Sequence, residues 1–258
     1  MPFLICAVPV CPIRSEAAHK SEQVSQLLFG ELCELLETAK DFVRIKCQYD
    51  GYEGWCQWNQ LEEVQDLFTN TENYKLAGGW INELKMNNEV MHIPYGSSLN
   101  FLHGNSGIIG KSAIVYEGII AQTGKEIRQD EMIKKVAYTF LNTPYLWGGR
   151  SVFGIDCSGF TQLVCKFLQL PLLRDAHQQA MQGEAIGFLQ EAKCGDLAFF
   201  DNDAGRITHV GILLDGDTII HSSGKVRVDK IDNLGIVNAE TGKRTHQLRV
   251  IKRVLPEQ

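Results

Sequence analysis

The chain has 258 residues, 44% of them hydrophobic and 22% charged, with a formal net charge of -6. That is the composition of a folded globular protein long enough for one large or two to three small domains, each with its own core. The acidic balance and the lack of a basic cluster argue against a nucleic-acid partner, and no apolar run approaches the ~18 residues that would read as a membrane span.

The N-terminal stretch Met1-Pro2-Phe3-Leu4-Ile5-Cys6-Ala7-Val8-Pro9-Val10 is apolar but has no basic segment and contains two prolines. It reads as the first strand of a domain rather than as a secretion signal. The cysteines, Cys6, Cys11, Cys33, Cys47, Cys56, Cys157, Cys165 and Cys194, form neither a CxxC pair nor a regular framework. Cys165 and Cys194 sit in apolar surroundings typical of buried reduced thiols. A reducing, cytoplasmic location is the expectation.

Residues 1–64 alternate short apolar runs with turns. In Phe42-Val43-Arg44-Ile45-Lys46-Cys47 the residues Val43, Ile45 and Cys47 alternate as a half-buried strand requires. Tyr49-Asp50-Gly51-Tyr52-Glu53-Gly54-Trp55-Cys56 follows as a hairpin turn ending on a tryptophan, and it resembles the corresponding turn of bacterial SH3-like barrels. Residues 65–122 read as a second small β unit, with a strand broken by a turn over 93–99 and further strands at 108–110 and 113–118. The tryptophan turn does not recur there, but a repeat of the first barrel is expected. A linker at Ala121-Gln122-Thr123-Gly124-Lys125 leads to a helix that buries Met132, Ile133, Val136, Ala137, Phe140 and Leu141 and ends before Pro144.

The chemistry concentrates after Pro144. In Gly154-Ile155-Asp156-Cys157-Ser158-Gly159-Phe160, apolar residues recur at Phe160, Leu163, Val164, Phe167 and Leu168, the stripe of a buried helix that Pro171 stops. Cys157 then lies in the first helical turn, where unpaired N–H groups and the helix dipole favour a thiolate. A nucleophilic thiol needs a base and a group that orients the base. Thr208-His209-Val210-Gly211-Ile212-Leu213-Leu214 reads as a strand, Asp215-Gly216 as a turn, and Asp217-Thr218-Ile219-Ile220-His221-Ser222 as the paired strand. The pair can hold His209 and His221 side by side, with Cys157 as nucleophile, His209 as base and His221 as the orienting group.

Pro144-Tyr145-Leu146-Trp147-Gly148-Gly149, Asp156-Cys157-Ser158-Gly159-Phe160, Gly195-Asp196-Leu197 and His209-Val210-Gly211-Ile212 together resemble the NlpC-type cysteine peptidases, papain-like enzymes of bacterial cell-wall peptides. The resemblance covers roughly residues 125–258. It implies an α+β protein with a papain-like catalytic domain (125–258) preceded by two small β barrels of the bacterial SH3-like type (1–64 and 65–122). Two such barrels ahead of the catalytic domain resemble the dipeptidyl-peptidase VI branch, in which the β units wall off one end of the cleft. That implies hydrolysis of the γ-D-glutamyl–L-diamino acid bond in murein-derived peptides with a free N-terminal L-alanine, without a cofactor or metal. A carboxylate beside the nucleophile opposes thiolate formation. Asp156 therefore either caps the helix or, as the resemblance implies, binds the substrate amine, with Ser158, Tyr145 and Trp147 lining the same end. Asp175, in the block Arg174-Asp175-Ala176-His177-Gln178-Gln179, is implied to contact substrate, and from the first barrel Glu22 and Tyr52 are the acidic and phenolic candidates.

Other readings of the same residues are a thiol acyltransferase, a generic cell-wall endopeptidase or amidase, a zinc site on Cys157, His209 and His221, and a wall-peptide-binding protein without activity. His177 is expected to face solvent from a helix, and His19, His92, His103 and His246 have no catalytic context in the sequence.

Overall fold

Val43, Ile45 and Cys47 point inward while Arg44 and Lys46 face solvent, so the two-residue period of that stretch is a strand buried on one side. A computed structural model of the chain describes residues 2–64, 74–121, 123 and 129–255, and it divides into two compact units. The first is Met1–Gly124 with Trp147–Val152, and the second is Lys125–Leu146 with Phe153–Gln258. Among the described residues no helix is long and apolar enough to cross a membrane.

In the first unit, β1 (Phe3–Cys6), β2 (Val10–Arg14), β3 (Gln23–Leu28), β4 (Leu32–Ala39), β5 (Phe42–Cys47), β6 (Glu53–Gln57) and β7 (Leu61–Val64) form one antiparallel sheet in the order β3-β2-β6-β5-β4-β1-β7. Its core packs Leu4, Ile13, Leu27, Val43 and Ile45 together with five thiols, Cys6, Cys11, Cys33, Cys47 and Cys56. None of these cysteines is in a disulfide. Then come β8 (Leu76–Ala77), β9 (Ile81–Met86), β10 (Glu89–Pro94), β11 (Ser106–Ile109), β12 (Ser112–Tyr116) and β13 (Ile120–Ala121). They form a four-stranded sheet, β10-β9-β12-β11, and a separate β8-β13 pair. A second small β unit is thus present, while an SH3-like repeat of the first is not confirmed by this sheet order. Its core is shared, since Ile5 and Phe29 from the first sheet pack among Leu84, Ile93, Leu99, Phe101 and Tyr116. Residues 65–73 of that expected unit, and Gln122, Gly124 and Lys125 of the expected linker, lie outside the described residues.

Gly30 makes the close approach possible. Its φ is +76°, and a Cβ there would stand 1.9 Å from the Ser98 carbonyl oxygen, which only glycine accommodates. The short strand β14 (Arg150–Ser151) also belongs to this unit. The Arg150 guanidinium donates to both Glu31 oxygens at 2.8 and 3.1 Å and to the Gln26 carbonyl at 2.7 Å, with both charged residues almost fully buried.

The second unit contains α1 (Gln129–Thr139), β15 (Gly154–Ile155), α2 (Cys157–Phe167), α3 (Ala176–Gln179), β16 (Glu184–Ile186), β17 (Leu197–Asp201), β18 (Ile207–Leu213), β19 (Thr218–Ser223), β20 (Lys225–Asp232), β21 (Gly235–Val237) and β22 (Arg244–Arg253). The long β22 pairs with β17 and with β21, which closes β22-β17-β18-β19-β20-β21 into a six-stranded ring, with β16 added on β22. Helix α2 is buried along its whole length and packs on α1, β18 and β19. It ends before Gln169, whose φ of +57° breaks the helix ahead of Pro171. Phe140 meets Phe160 edge-on at 5.9 Å, but Leu141, expected on the buried face of α1, lies beyond the helix end and is 41% exposed.

The Arg150–Glu31 pair generates a stability prediction. Glu31→Gln leaves a buried guanidinium without its counter-charge, which costs about 3–5 kcal/mol. Urea denaturation should show that loss as a lower midpoint with an unchanged slope, and an unchanged midpoint would mean the pair is solvated.

Candidate active site

Asp156 precedes α2 in extended conformation, and its Oδ1 accepts the Gly159 N–H at 2.7 Å, the N-cap geometry. Cys157 thus opens the helix as expected, and its side chain is buried. Backbone N–H groups of Val210 and Ser158 and the Arg174 guanidinium favour its thiolate. Burial, followed by the neighbouring Asp156 charge, outweighs them and pushes the thiol up to about 12. The helix start that favours a thiolate is therefore opposed by desolvation, which is the larger effect and raises the thiol.

Val210, whose N–H reaches that sulfur, follows His209 on β18. His209 Nε2 lies 2.8 Å from His221 Nδ1 on β19, so the hairpin does hold the two rings together. Gly211 stands opposite His221, and a Cβ there would come within 2.8 Å of the His221 Cβ. Burial, His221 and His246 pull the His209 imidazole well below its ordinary range. His246, on β22, stacks on the His209 ring at 4.2 Å with an interplanar angle of 25°, and Phe200 flanks it at 5.7 Å. Burial likewise lowers His246, to about 4. The sequence alone gives His246 no catalytic context; only the return of β22 to close the ring brings it here.

Behind His221 stands Asp229 on β20, whose Oδ2 is 3.0 Å from His221 Nε2. Arg227 donates to both Asp229 oxygens at 2.8 and 3.0 Å, and the Ala239 N–H donates to Oδ1 at 2.8 Å. Burial alone would raise this carboxyl, but the His221, Arg227 and Ala239 donors hold it down at about 2. Neither residue is singled out in the sequence reading. The available signal was Val226-Arg227-Val228-Asp229, which puts opposite charges two apart on one strand face between apolar neighbours.

Asp156 is also the acceptor of Arg174, at 2.6 Å to Oδ2 and 3.1 Å to Oδ1, and Arg174 is 1% exposed. Ser158 Oγ receives a further Arg174 N–H at 2.9 Å. Gln179 donates to the Ser158 carbonyl at 3.0 Å and accepts from Thr161 at 2.8 Å. The block 174–179 therefore clamps the start of α2, with Asp175 as the N-cap residue of α3 and His177 exposed. Tyr145 is held by its N–H to the Gly224 carbonyl at 2.9 Å. Burial, then the neighbouring Cys157 and Asp156, raises its phenol to about 12, so it remains a donor.

In the first unit, the Trp147 indole N–H donates to Glu22 at 2.6 Å, and Gln23 donates to the Trp147 carbonyl at 3.1 Å. Two of the predicted substrate-binding residues are thus joined, both exposed. Tyr52 instead packs, half-buried, against the hydrophobic core of the first sheet. As for a metal, each His221 nitrogen already faces a partner, and among the described residues no group of three or more His, Cys, Asp or Glu is arranged to hold one.

Residues 142–245 match the NlpC/P60 family, and residues 13–61 match the bacterial dipeptidyl-peptidase Sh3 domain. The chain is 29% identical to a gamma-D-glutamyl-L-lysine dipeptidyl-peptidase of Bacillus subtilis over 77% of this chain and 71% of the relative. It is 34% identical to a probable endopeptidase of Haemophilus influenzae over 43% of this chain and 68% of the relative. A crystal structure of an NlpC/P60 family protein from Bacillus cereus superposes with a TM-score of 0.82 at 20% identity, covering 98% of this chain and 100% of that one, a likeness of fold.

The neutral thiol generates a second prediction. Iodoacetamide alkylation of Cys157 in the free protein should keep rising with pH through about pH 9, because the thiolate fraction grows toward a pKa near 12. A rate already level between about pH 5 and 8 would indicate a thiolate–imidazolium pair instead.

Proposed function

The chain belongs to the NlpC/P60 family, and from that premise we propose that it is a cysteine peptidase hydrolysing the γ-D-glutamyl–L-diamino acid bond of murein-derived peptides with a free N-terminal L-alanine. The observation that carries the chemistry is the 2.8 Å contact of His209 with His221, beside the helix start that bears Cys157. The substrate class draws on the relative's name and on the dipeptidyl-peptidase character of the matched Sh3 domain.

Thiol and imidazole are both neutral at rest, so proton transfer accompanies attack. His209 takes the Cys157 proton as the sulfur adds to the γ-carbonyl of D-glutamate. The oxyanion develops at the α2 N-terminus, where the Cys157 backbone N–H is a donor, and one such donor is worth on the order of 3 kcal/mol. As the tetrahedral adduct collapses, His209 returns the proton to the departing amine of the diamino acid. Water, deprotonated by the same imidazole, then releases L-Ala-D-Glu from the thioester.

The N-terminal ammonium needs an anion. Asp156 accepts from Arg174, and Glu22 accepts from the Trp147 indole N–H. Asp156 and Glu22 are both proposed amine contacts. Such a requirement excludes amine-blocked wall polymer and suits the recycling of liberated peptides. Five thiols in one barrel core suit a reducing compartment, and we assign the enzyme to the cytoplasm on that ground.

Products of L-Ala-γ-D-Glu-L-Lys and its diaminopimelate analogue, read by mass, should be L-Ala-D-Glu and the free diamino acid. Acetylating the alanine amine should lower kcat/KM at least ~30-fold, about 2 kcal/mol, and Glu22→Gln should narrow that gap. Equal turnover of both peptides would leave a general wall endopeptidase. His209→Ala should cost roughly 10³-fold or more and His221→Gln less; the reverse order would invert their roles.

A further inference from the structure

Resting on that assignment of Cys157 and His209, we propose that Asp229 is the positioning residue that decides which nitrogen of His209 is basic, and that Arg227 holds Asp229 in that task. A neutral imidazole has one N–H and one lone pair, so two rings in a row can carry their protons in either of two directions. In one direction His209 Nε2–H donates to His221 Nδ1, and His209 Nδ1 is left with a lone pair for the thiol proton. In the other, His221 Nδ1–H donates to His209 Nε2, and His209 Nδ1 carries a hydrogen and cannot act as base. The 2.8 Å contact is satisfied equally well both ways.

What breaks the tie lies one residue further back. Asp229 is 3% exposed and accepts four hydrogen bonds, from His221, twice from Arg227 and from Ala239. A carboxylate so surrounded has no proton to give, so His221 must present Nε2–H to it. Neutral His221 then has its lone pair on Nδ1, His209 must present Nε2–H, and the productive direction follows. When His209 takes up the thiol proton, the same row offers the imidazolium an acceptor with a carboxylate behind it. The charged and titratable groups around His221 are His209 on β18, Asp229 and Arg227 on β20, and His246 on β22, with Glu240 3.6 Å from Arg227. Arg227 donates to Asp229 from a cross-strand position facing His221, which holds the carboxylate in place behind the row of rings.

The test is tautomer and rate together, in the full-length protein. With ¹⁵N-labelled histidines, seven in all, two-bond ¹H–¹⁵N spectra should show His209 and His221 both protonated at Nε2. In Asp229→Asn the amide oxygen is expected to stay with Ala239 and Arg227, which turns the NH₂ toward His221 Nε2 and reverses both rings to Nδ1–H. The kcat on γ-D-glutamyl peptides should then fall roughly 10²- to 10⁴-fold with KM within about threefold, and Asp229→Glu should recover part of the loss. If Asp229→Asn does not fold, Asp229→Asn with Arg227→Gln removes the unmatched cation and keeps Ala239 to orient the amide, with the same reversed spectrum expected. A folded variant that keeps Nε2–H on His209, or keeps wild-type kcat, overturns the proposal. The spectra need no substrate, so a wild-type protein with the predicted tautomers but no peptidase activity would overturn the functional assignment and leave the proton order standing.

Discussion

Withdrawing Cys157 and His209 from water disfavours the charged form of each, and the organisation of the second unit follows from that exclusion. A charge kept in such surroundings has to be matched in place. Asp156 is matched by Arg174 and the cap of α2, and Asp229 by Arg227 and the Ala239 N–H. These two buried carboxylates thus sit close to the proposed reacting pair, each engaged with donors. The pair itself is left neutral, with its polarity supplied by backbone N–H groups and by the row of histidines.

Ring closure does the geometric part. His209, His221 and Asp229 come from three consecutive strands, each hydrogen-bonded to the next. Their spacing is therefore fixed by the sheet rather than by loops, which is where a proton pathway is held most rigidly. The closing strand β22 adds His246 as a lid on one face of the His209 ring. Helix α2 is fixed at its start by Arg174 and Gln179, so the Cys157 thiol is anchored on one side and the His209 ring on the other.

Much of this could be read from local pattern. The stripe from Phe160 to Leu168 marked the buried helix, and the turn at Asp215-Gly216 marked the hairpin that pairs the two histidines, because both depend on periodicity and turn chemistry within a few residues. His246 was not legible, since its position depends on the pairing of β22 with strands far from it in sequence. Asp229 lies only one hairpin beyond His221, but a lone acidic residue in a strand carries no mark of the ring it will face. The balance at Cys157 escaped for a different reason. A helix start and a neighbouring carboxylate are visible in sequence, but the burial that acts with the carboxylate against the helix start is a tertiary quantity. The second β unit was legible as strands, but the core it shares with Ile5 and Phe29 leaves no trace in its own residues.

The thiol-rich core of the first sheet bears on how this chain must be made. Five cysteines meet there, and the native fold uses none of them in a disulfide. In the unfolded chain, eight thiols can be fully paired in on the order of a hundred ways. Any bond made early therefore ties residues whose side chains must later slide past one another into a close-packed interior. Oxidant present during synthesis or refolding acts as a kinetic trap, while oxidant added after the core has closed finds those thiols sealed and protonated. The same atoms are vulnerable before folding and inert after it.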